Sequence, residues 1–238
     1  MQYDPSSNYV GGFTDNDGTI DFYLRINSLL SKDSLVVDFG AGRGAWFEED
    51  KCETRKSLRL LKGKVKKVIA VDIDKAVLKN KASDEQILLN EVTTNLKKNS
   101  IDLIISDYVL EHIDNPKIFS KYIGELLKPG GWFCARTPHK YSYVAIFGSL
   151  FGNKINQLLL RFLQPNRKEE DIFPTRYKLN TLSDIRKNFK DYENWTFIYK
   201  TDPAYFFGNK KIYILQKFIF SIMPRFFSGN LMIFVKKN

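Results

Sequence analysis

The residues best suited to chemistry lie in one run, Asp38-Phe39-Gly40-Ala41-Gly42-Arg43-Gly44, where an acid ends an apolar stretch and three glycines follow on alternate positions. Glycine admits positive φ and has no Cβ, so such a loop can turn sharply and lay its backbone against a ligand. The spacing is G-x-G-x-G. Dinucleotide sites use G-x-G-x-x-G, whose third glycine packs a helix that receives a pyrophosphate, so NAD is disfavoured. A cofactor without phosphate, carrying ribose, adenine and an amino-acid tail, instead needs an acid for the ribose hydroxyls and polar groups for the tail. Asp72, with Ile73 beside it, ends the next apolar run and is suited to accept two hydrogen bonds from a diol; Asp74 is the fallback. For proton transfer the candidates are His112 and Asp107, after a fourth apolar run, and His139, after a fifth. An imidazole titrates near neutrality, which suits a general base. The competing role for His112 is to cap or pack the following helix, and His139 can equally be an ordinary loop residue.

Five short apolar, β-branched runs must position these groups: Ser34–Phe39, Val68–Asp72, Gln86–Asn90, Ile101–Ser106 and Gly131–Arg136. Each is apolar nearly throughout, as strands of a parallel sheet covered on both faces require. Segments with helical spacing separate them. The clearest, Pro116 to Leu127, puts Ile118, Phe119, Tyr122, Ile123, Leu126 and Leu127 on one face. The tail breaks this rhythm with strands at Trp195–Lys200 and Leu231–Lys236 and an apolar helix, Lys210 to Met223, between them. The expectation is an α/β fold with a doubly wound, mostly parallel, seven-stranded sheet and an antiparallel C-terminal strand. A largely helical insertion, 138–180, follows strand five and runs from Tyr143 to Leu163 before a polar stretch around Pro165. One domain over 1–238 is expected, with a cofactor-binding core at about 20–136 and acceptor-side elements at about 138–230.

These motifs resemble the class I S-adenosylmethionine-dependent methyltransferases, especially the broad bacterial group acting on small molecules, lipids and glycans. The likeness covers about residues 20–136 well and the remainder loosely. Asp38 to Gly44 is similar to the family's first motif, and the resemblance implies that Asp38, Gly40, Ala41, Gly42 and Gly44 hold the methionine part of S-adenosylmethionine. It likewise implies that Asp72 grips the ribose and that Asn90 and Glu91 lie where family members contact the adenine. Ser106-Asp107-Tyr108-Val109-Leu110-Glu111-His112-Ile113 resembles the motif after strand four, and Leu127-Lys128-Pro129-Gly130-Gly131 the turn into strand five. The Gly44–Asp72 gap is longer than usual in the family, because the basic segment Lys51–Lys67 enlarges the first helix or its loop. No Asn/Asp-Pro-Pro-Tyr follows strand four, which argues against methylation of exocyclic base amines. Asp171 to Thr181 resembles a stretch near the acceptor pocket of glycan methyltransferases. There Arg176, Tyr177 and Lys178 are candidate acceptor contacts, while Asn180 or Thr181 can cap the next helix.

The 238 residues are 43% hydrophobic and 27% charged, an ordinary globular composition, and the net charge of +10 favours an anionic neighbour. Much of the charge sits in Lys51–Lys67, for which a solvated helix face is preferred to a phosphate-binding patch. Cys52 and Cys134 stand far apart with no metal-ligand spacing, so no metal is expected. With no signal-like start and no apolar run of spanning length, the expectation is a cytoplasmic protein. Basic residues among the aromatic tail also allow peripheral contact with the inner membrane face. The expected acceptor is a small molecule, sugar or lipid-linked glycan, methylated at oxygen. RNA or another nucleic acid is the alternative acceptor, and a degenerate cofactor-binding partner subunit is the other rival reading.

Overall fold

The computed structural model describes residues 3–150 and 174–238. Its sheet has eight segments: β1 (Leu35–Phe39), β2 (Lys67–Asp72), β3 (Glu85–Leu88), β4 (Ile101–Asp107), β5 (Leu127–Pro138), β6 (Tyr192–Asn194), β7 (Phe197–Lys200) and β8 (Gly229–Lys237). The spatial order is β3-β2-β1-β4-β5-β8-β6, with β7 also paired to β8. The first five are mutually parallel, and β8 runs antiparallel to β5. Chain order reverses between β1 and β4, the switch point beside which open α/β sheets bind ligands.

The expected seven strands become eight because the edge strand is broken. β6 pairs with the C-terminal half of β8, and β7 with its N-terminal half, both antiparallel. Between them Trp195 donates its N–H to the Phe234 carbonyl, while the Thr196 N–H turns back onto Asn194 Oδ1. One backbone donor thus leaves the ladder. Strand five is also longer than expected, because Leu127 still pairs with Ile101 before a bulge, with Gly130 at φ +78°, resets the register.

Helices α1 (Gly18–Ser28), α2 (Trp46–Glu49), α3 (Glu53–Arg59), α4 (Val92–Asn95), α5 (Pro116–Leu126), α6 (Tyr143–Leu150), α7 (Leu182–Asn188), α8 (Lys210–Ile222) and α9 (Arg225–Ser228) complete the described fold. On one face of the sheet, Phe22, Tyr23 and Ile26 of α1 pack over Val36, Leu103, Ile105 and Cys134. On the other, Phe119, Ile123 and Leu126 of α5 cover Val37, Ile104 and Phe133. Alternate strand residues therefore serve opposite cores. Local signals set the helix starts: Asp17 accepts from Thr19 and Ile20 N–H, and Asn115 accepts from Ile118 N–H with Pro116 in the first turn. Thr181 forms a reciprocal capping box with Asp184. Asn180, the other candidate cap, is instead buried against strand five. The insertion helix starts at Tyr143 as expected; its extension to Leu163 and the polar stretch around Pro165 lie outside the described residues.

Candidate active site

The carboxyl ends of β1, β2 and β4 present the glycine loop, Asp72 and Asp107 at one sheet edge. Gly40, Gly42 and Gly44 have φ of +78°, +52° and +68°. Gly40 and Ala41 N–H both bond the Val71 carbonyl, which folds the loop over β2. A Cβ on Gly40 would stand 2.3 Å from Val109 Cγ2, and one on Gly44 would stand 2.5 Å from Asn80 Oδ1. Around Gly42 nothing lies within 4 Å of that position. The loop is thus clamped at both ends and open at its centre.

Asp72 spans the loop and the next turn: Oδ2 accepts from Gly42 N–H at 2.8 Å, and Oδ1 from Asp74 N–H at 2.9 Å. Asp74 is used locally, capping the turn Lys75–Lys79 through Ala76 N–H. Ile73 is 69% exposed, an apolar surface directly beside the acid. Asn90 and Glu91 are exposed on a single helical turn, Leu89–Glu91, at the end of β3. Ser106 is fully buried in β4, and its Oγ has no hydrogen-bond partner.

Asp38 lines a small cleft with Tyr23, Trp46, Arg59 and Asn80. Burial pushes its carboxyl up to about 7; Arg59 opposes this, while the Asp107 and Asp72 charges add to it. Arg59 arrives from α3 with its guanidinium 4.4 Å above the Trp46 ring and 5.3 Å from the Tyr23 ring centre. The basic segment is largely engaged within the protein. Arg55 bridges Asp50 and Asp17, Lys62 donates to the Ser83 carbonyl, Lys64 to the Ser57 carbonyl, and Lys67 pairs with Glu85.

Asp107, a candidate base by sequence, is held in a two-point pair with Arg136: Nε–Oδ1 and Nη2–Oδ2 are both 2.8 Å. Burial alone would raise this carboxyl, but Arg136 outweighs it and holds the group below the ordinary carboxylate range. A depressed carboxylate already filled by a guanidinium is a poor proton acceptor, so the geometry gives Asp107 a structural part. Arg136 also donates from Nη1 to Thr19 Oγ1, and the Tyr108 ring lies 4.8 Å over its guanidinium. Tyr108 adopts φ +60°, unusual for a bulky side chain. It is fixed by its N–H to the Arg136 carbonyl and by Asn230 Nδ2 donating to its hydroxyl at 2.6 Å.

His112 ends the turn Leu110–His112, with Nδ1 3.0 Å from the Pro174 carbonyl. A carbonyl only accepts, so Nδ1 carries a proton. At His139 Nδ1 instead accepts, from Tyr141 N–H, and burial pushes its proton affinity down. Between the histidines runs a buried chain in which Thr137 Oγ1 donates to Glu111 Oε2, and Asn180 Nδ2 donates to Thr137 Oγ1 and the Pro138 carbonyl. Arg176 and Tyr177 N–H reach the Glu111 carbonyl, while Arg176 and Lys178 side chains pair with Asp114. Arg59, Arg136, Asn80, Tyr23 and Glu111 were not singled out as site residues from sequence. Only Arg136 carried a signal, as a lone cation in an apolar strand.

A family model described as a methyltransferase domain matches residues 16–192, well over half of the chain. The chain belongs to the class I S-adenosylmethionine-dependent methyltransferases. It is 25% identical over 114 residues to the mitochondrial ubiquinone biosynthesis O-methyltransferase of Rattus norvegicus, a match covering 44% of this chain and 33% of that protein. The chain therefore spans about a third of that curated relative's length. Among solved structures, a methyltransferase of Archaeoglobus fulgidus superposes with a TM-score of 0.51 at 16% identity, covering 94% of this chain and 95% of that one. A geranyl diphosphate methyltransferase in complex with S-adenosylmethionine gives 0.55 at 13% identity, covering 92% and 84%. These likenesses extend to the fold.

The enzyme's cofactor is S-adenosylmethionine, and the residues present fit it. The open centre of the loop at Gly42, the acid Asp72 flanked by the exposed Ile73, and the half-buried acid Asp38 form an acid-rich seat. That donor set suits a diol, an adenine face and an ammonium group.

Proposed function

We propose that this methyltransferase acts on a hydroxyl of a small molecule, sugar or lipid-linked glycan. The cofactor supplies an electrophilic methyl group on a sulfonium, taken by in-line displacement, so the protein's main task is to hold an acceptor in line. In this reading Asp72 receives the ribose hydroxyls, Asn90, Glu91 and Ile73 border the adenine, and Gly40 to Gly44 with Asp38 hold the amino-acid end. Ser106, whose buried Oγ has no partner, is the remaining candidate cofactor contact. The observation that carries the oxygen reading is the position of His112, an imidazole just past the carboxyl end of β4 with its Nδ1 held 3.0 Å from the Pro174 carbonyl, where a hydroxyl acceptor needs a base. Pairing of Arg55, Arg59 and Lys67 with carboxylates takes part of the Lys51–Lys67 charge and weighs against a nucleic-acid backbone as the acceptor.

The test is transfer of a labelled methyl group to a panel of hydroxyl-bearing acceptors, with RNA as the competing substrate. For the acceptor that responds, His112→Gln should lower kcat about 10²–10⁴-fold and remove the acidic limb of the pH profile, with affinity for S-adenosylhomocysteine retained. Full activity in that variant excludes His112 as base, and preferential labelling of RNA overturns the acceptor class.

A further inference from the structure

Helix α8 turns its apolar side outward. Tyr213 and Phe220 are buried, against Tyr3 and Phe206 on one side and Tyr143 on the other. Phe218 is 64% and Ile222 71% exposed, and Ile214, Leu215 and Ile219 are exposed with them. Lys211, Leu215, Phe218 and Ile222 follow one another at helical spacing, which makes a single stripe along a helix about 20 Å long. Scattered apolar residues on a surface need no explanation, but a contiguous patch does.

On the helix itself the charge has one sign, with Asp202 and Asp15 near Lys217. After Asp202 the sequence contains no acid, while Lys210, Lys211, Lys217 and Arg225 lie on or beside the helix. Lys217 is tied to the Tyr9 hydroxyl, whereas Lys211 and Arg225 are exposed. No described helix is long and apolar enough to cross a membrane. An apolar stripe edged by the exposed Lys211 and Arg225, on a helix with no carboxylate of its own, matches the interfacial zone of an anionic bilayer, with the rings in the acyl boundary and the cations at the headgroups.

We propose that α8 docks the enzyme onto an anionic lipid surface. The helix leads through α9 into Gly229 and Asn230, and Asn230 pairs with Pro138 at the carboxyl end of β5 and bonds Tyr108. The docked helix is therefore joined by a short link to the sheet edge that carries the active site. If the reaction proposed above is right, a lipid-anchored acceptor reaches that edge from the bilayer; the docking itself does not depend on that reading.

The test is cosedimentation of the full chain with phosphatidylcholine–phosphatidylserine vesicles and with phosphatidylcholine vesicles alone. Binding to the mixed vesicles is expected, and Phe218→Asp with Ile222→Asp should abolish it while leaving the melting temperature and affinity for S-adenosylhomocysteine unchanged. Lys211→Gln with Arg225→Gln should weaken it about 25-fold, roughly fivefold per charge. Failure of the wild type to bind mixed vesicles overturns the proposal, as does equal binding to neutral vesicles. Self-association that the Phe218→Asp, Ile222→Asp variant abolishes would assign the stripe to a second copy and also overturn it. No methyl acceptor enters the assay, so its failure is separate from failure of the proposed reaction.

Discussion

Alanine at Gly40 and at Gly42 should separate what the loop needs to fold from what it needs to bind. Both residues have positive φ, where an L-residue costs about 1–2 kcal/mol. At Gly40 the new Cβ also meets Val109 Cγ2 at 2.3 Å, and overpacking of that kind adds about 1–3 kcal/mol. The total for Gly40→Ala is about 2–5 kcal/mol, and for a chain of this size each kcal/mol lowers Tm by about 2–4 °C, so the fall is about 4–20 °C. Gly42→Ala meets no neighbour and carries only the strain, a fall of about 2–8 °C. Its methyl group points into the open space assigned to the cofactor, so its affinity for S-adenosylhomocysteine should drop at least about tenfold. Thermal melts and calorimetric titration read both quantities. In a Val109→Ala background the Gly40→Ala penalty should shrink by about 1–3 kcal/mol, because the contacts at 2.3 and 3.1 Å are removed while the Val109 Cβ contact at 3.2 Å and the strain remain. An unchanged penalty in that background, or full ligand affinity in Gly42→Ala, refutes the reasoning.

Asp38 should make cofactor binding pH-dependent. In the free protein its carboxyl titrates at about 7, and a cationic ammonium favours the ionised form. Affinity should therefore fall by up to about tenfold per unit as pH drops below about 7, level off above it, and lose this dependence in Asp38→Asn. The same shift means that the native protein holds this proton more tightly than the unfolded chain. Its contribution to the free protein's stability is therefore present in acid and lost as pH rises toward about 7. Arg136→Met takes the two-point partner from Asp107, leaving it Arg59 at 3.7 Å and the Tyr23 hydroxyl, and should cost up to about 3–5 kcal/mol, a Tm fall of up to about 6–20 °C, whereas Asp107→Asn combined with Arg136→Met should lose less. Equal melting of the single and double variants would contradict the ion-pair account.

The parallel core could be read from the chain because buried parallel strands are apolar nearly throughout, and glycines after β1 have few roles besides a tight turn. Asp72 and the loop were visible for the same local reason. Arg59 was hidden within a basic run that reads as solvated surface, and only the tertiary placement of α3 brings it against Tyr23 and Trp46. Asn80, which donates to the Gly42 carbonyl at 3.1 Å, comes from a turn with no motif. Asp107 was legible as an acid at the ligand edge. Its pairing with Arg136 depends on the β4–β5 register, which aligns the two directly and which composition does not encode. The edge strand split for a related reason: Asn194 diverts one ladder donor, a choice made by a side chain rather than by hydrophobic pattern.

The central claim is that the edge formed by Asp38 to Gly44 and Asp72 seats S-adenosylmethionine. Isothermal titration of the intact chain with S-adenosylhomocysteine tests it most directly, with NAD as control and Asp72→Ala beside the wild type. The account predicts micromolar binding of S-adenosylhomocysteine alone, abolished in a folded Asp72→Ala. Binding that survives in Asp72→Ala, or preference for NAD, would contradict it.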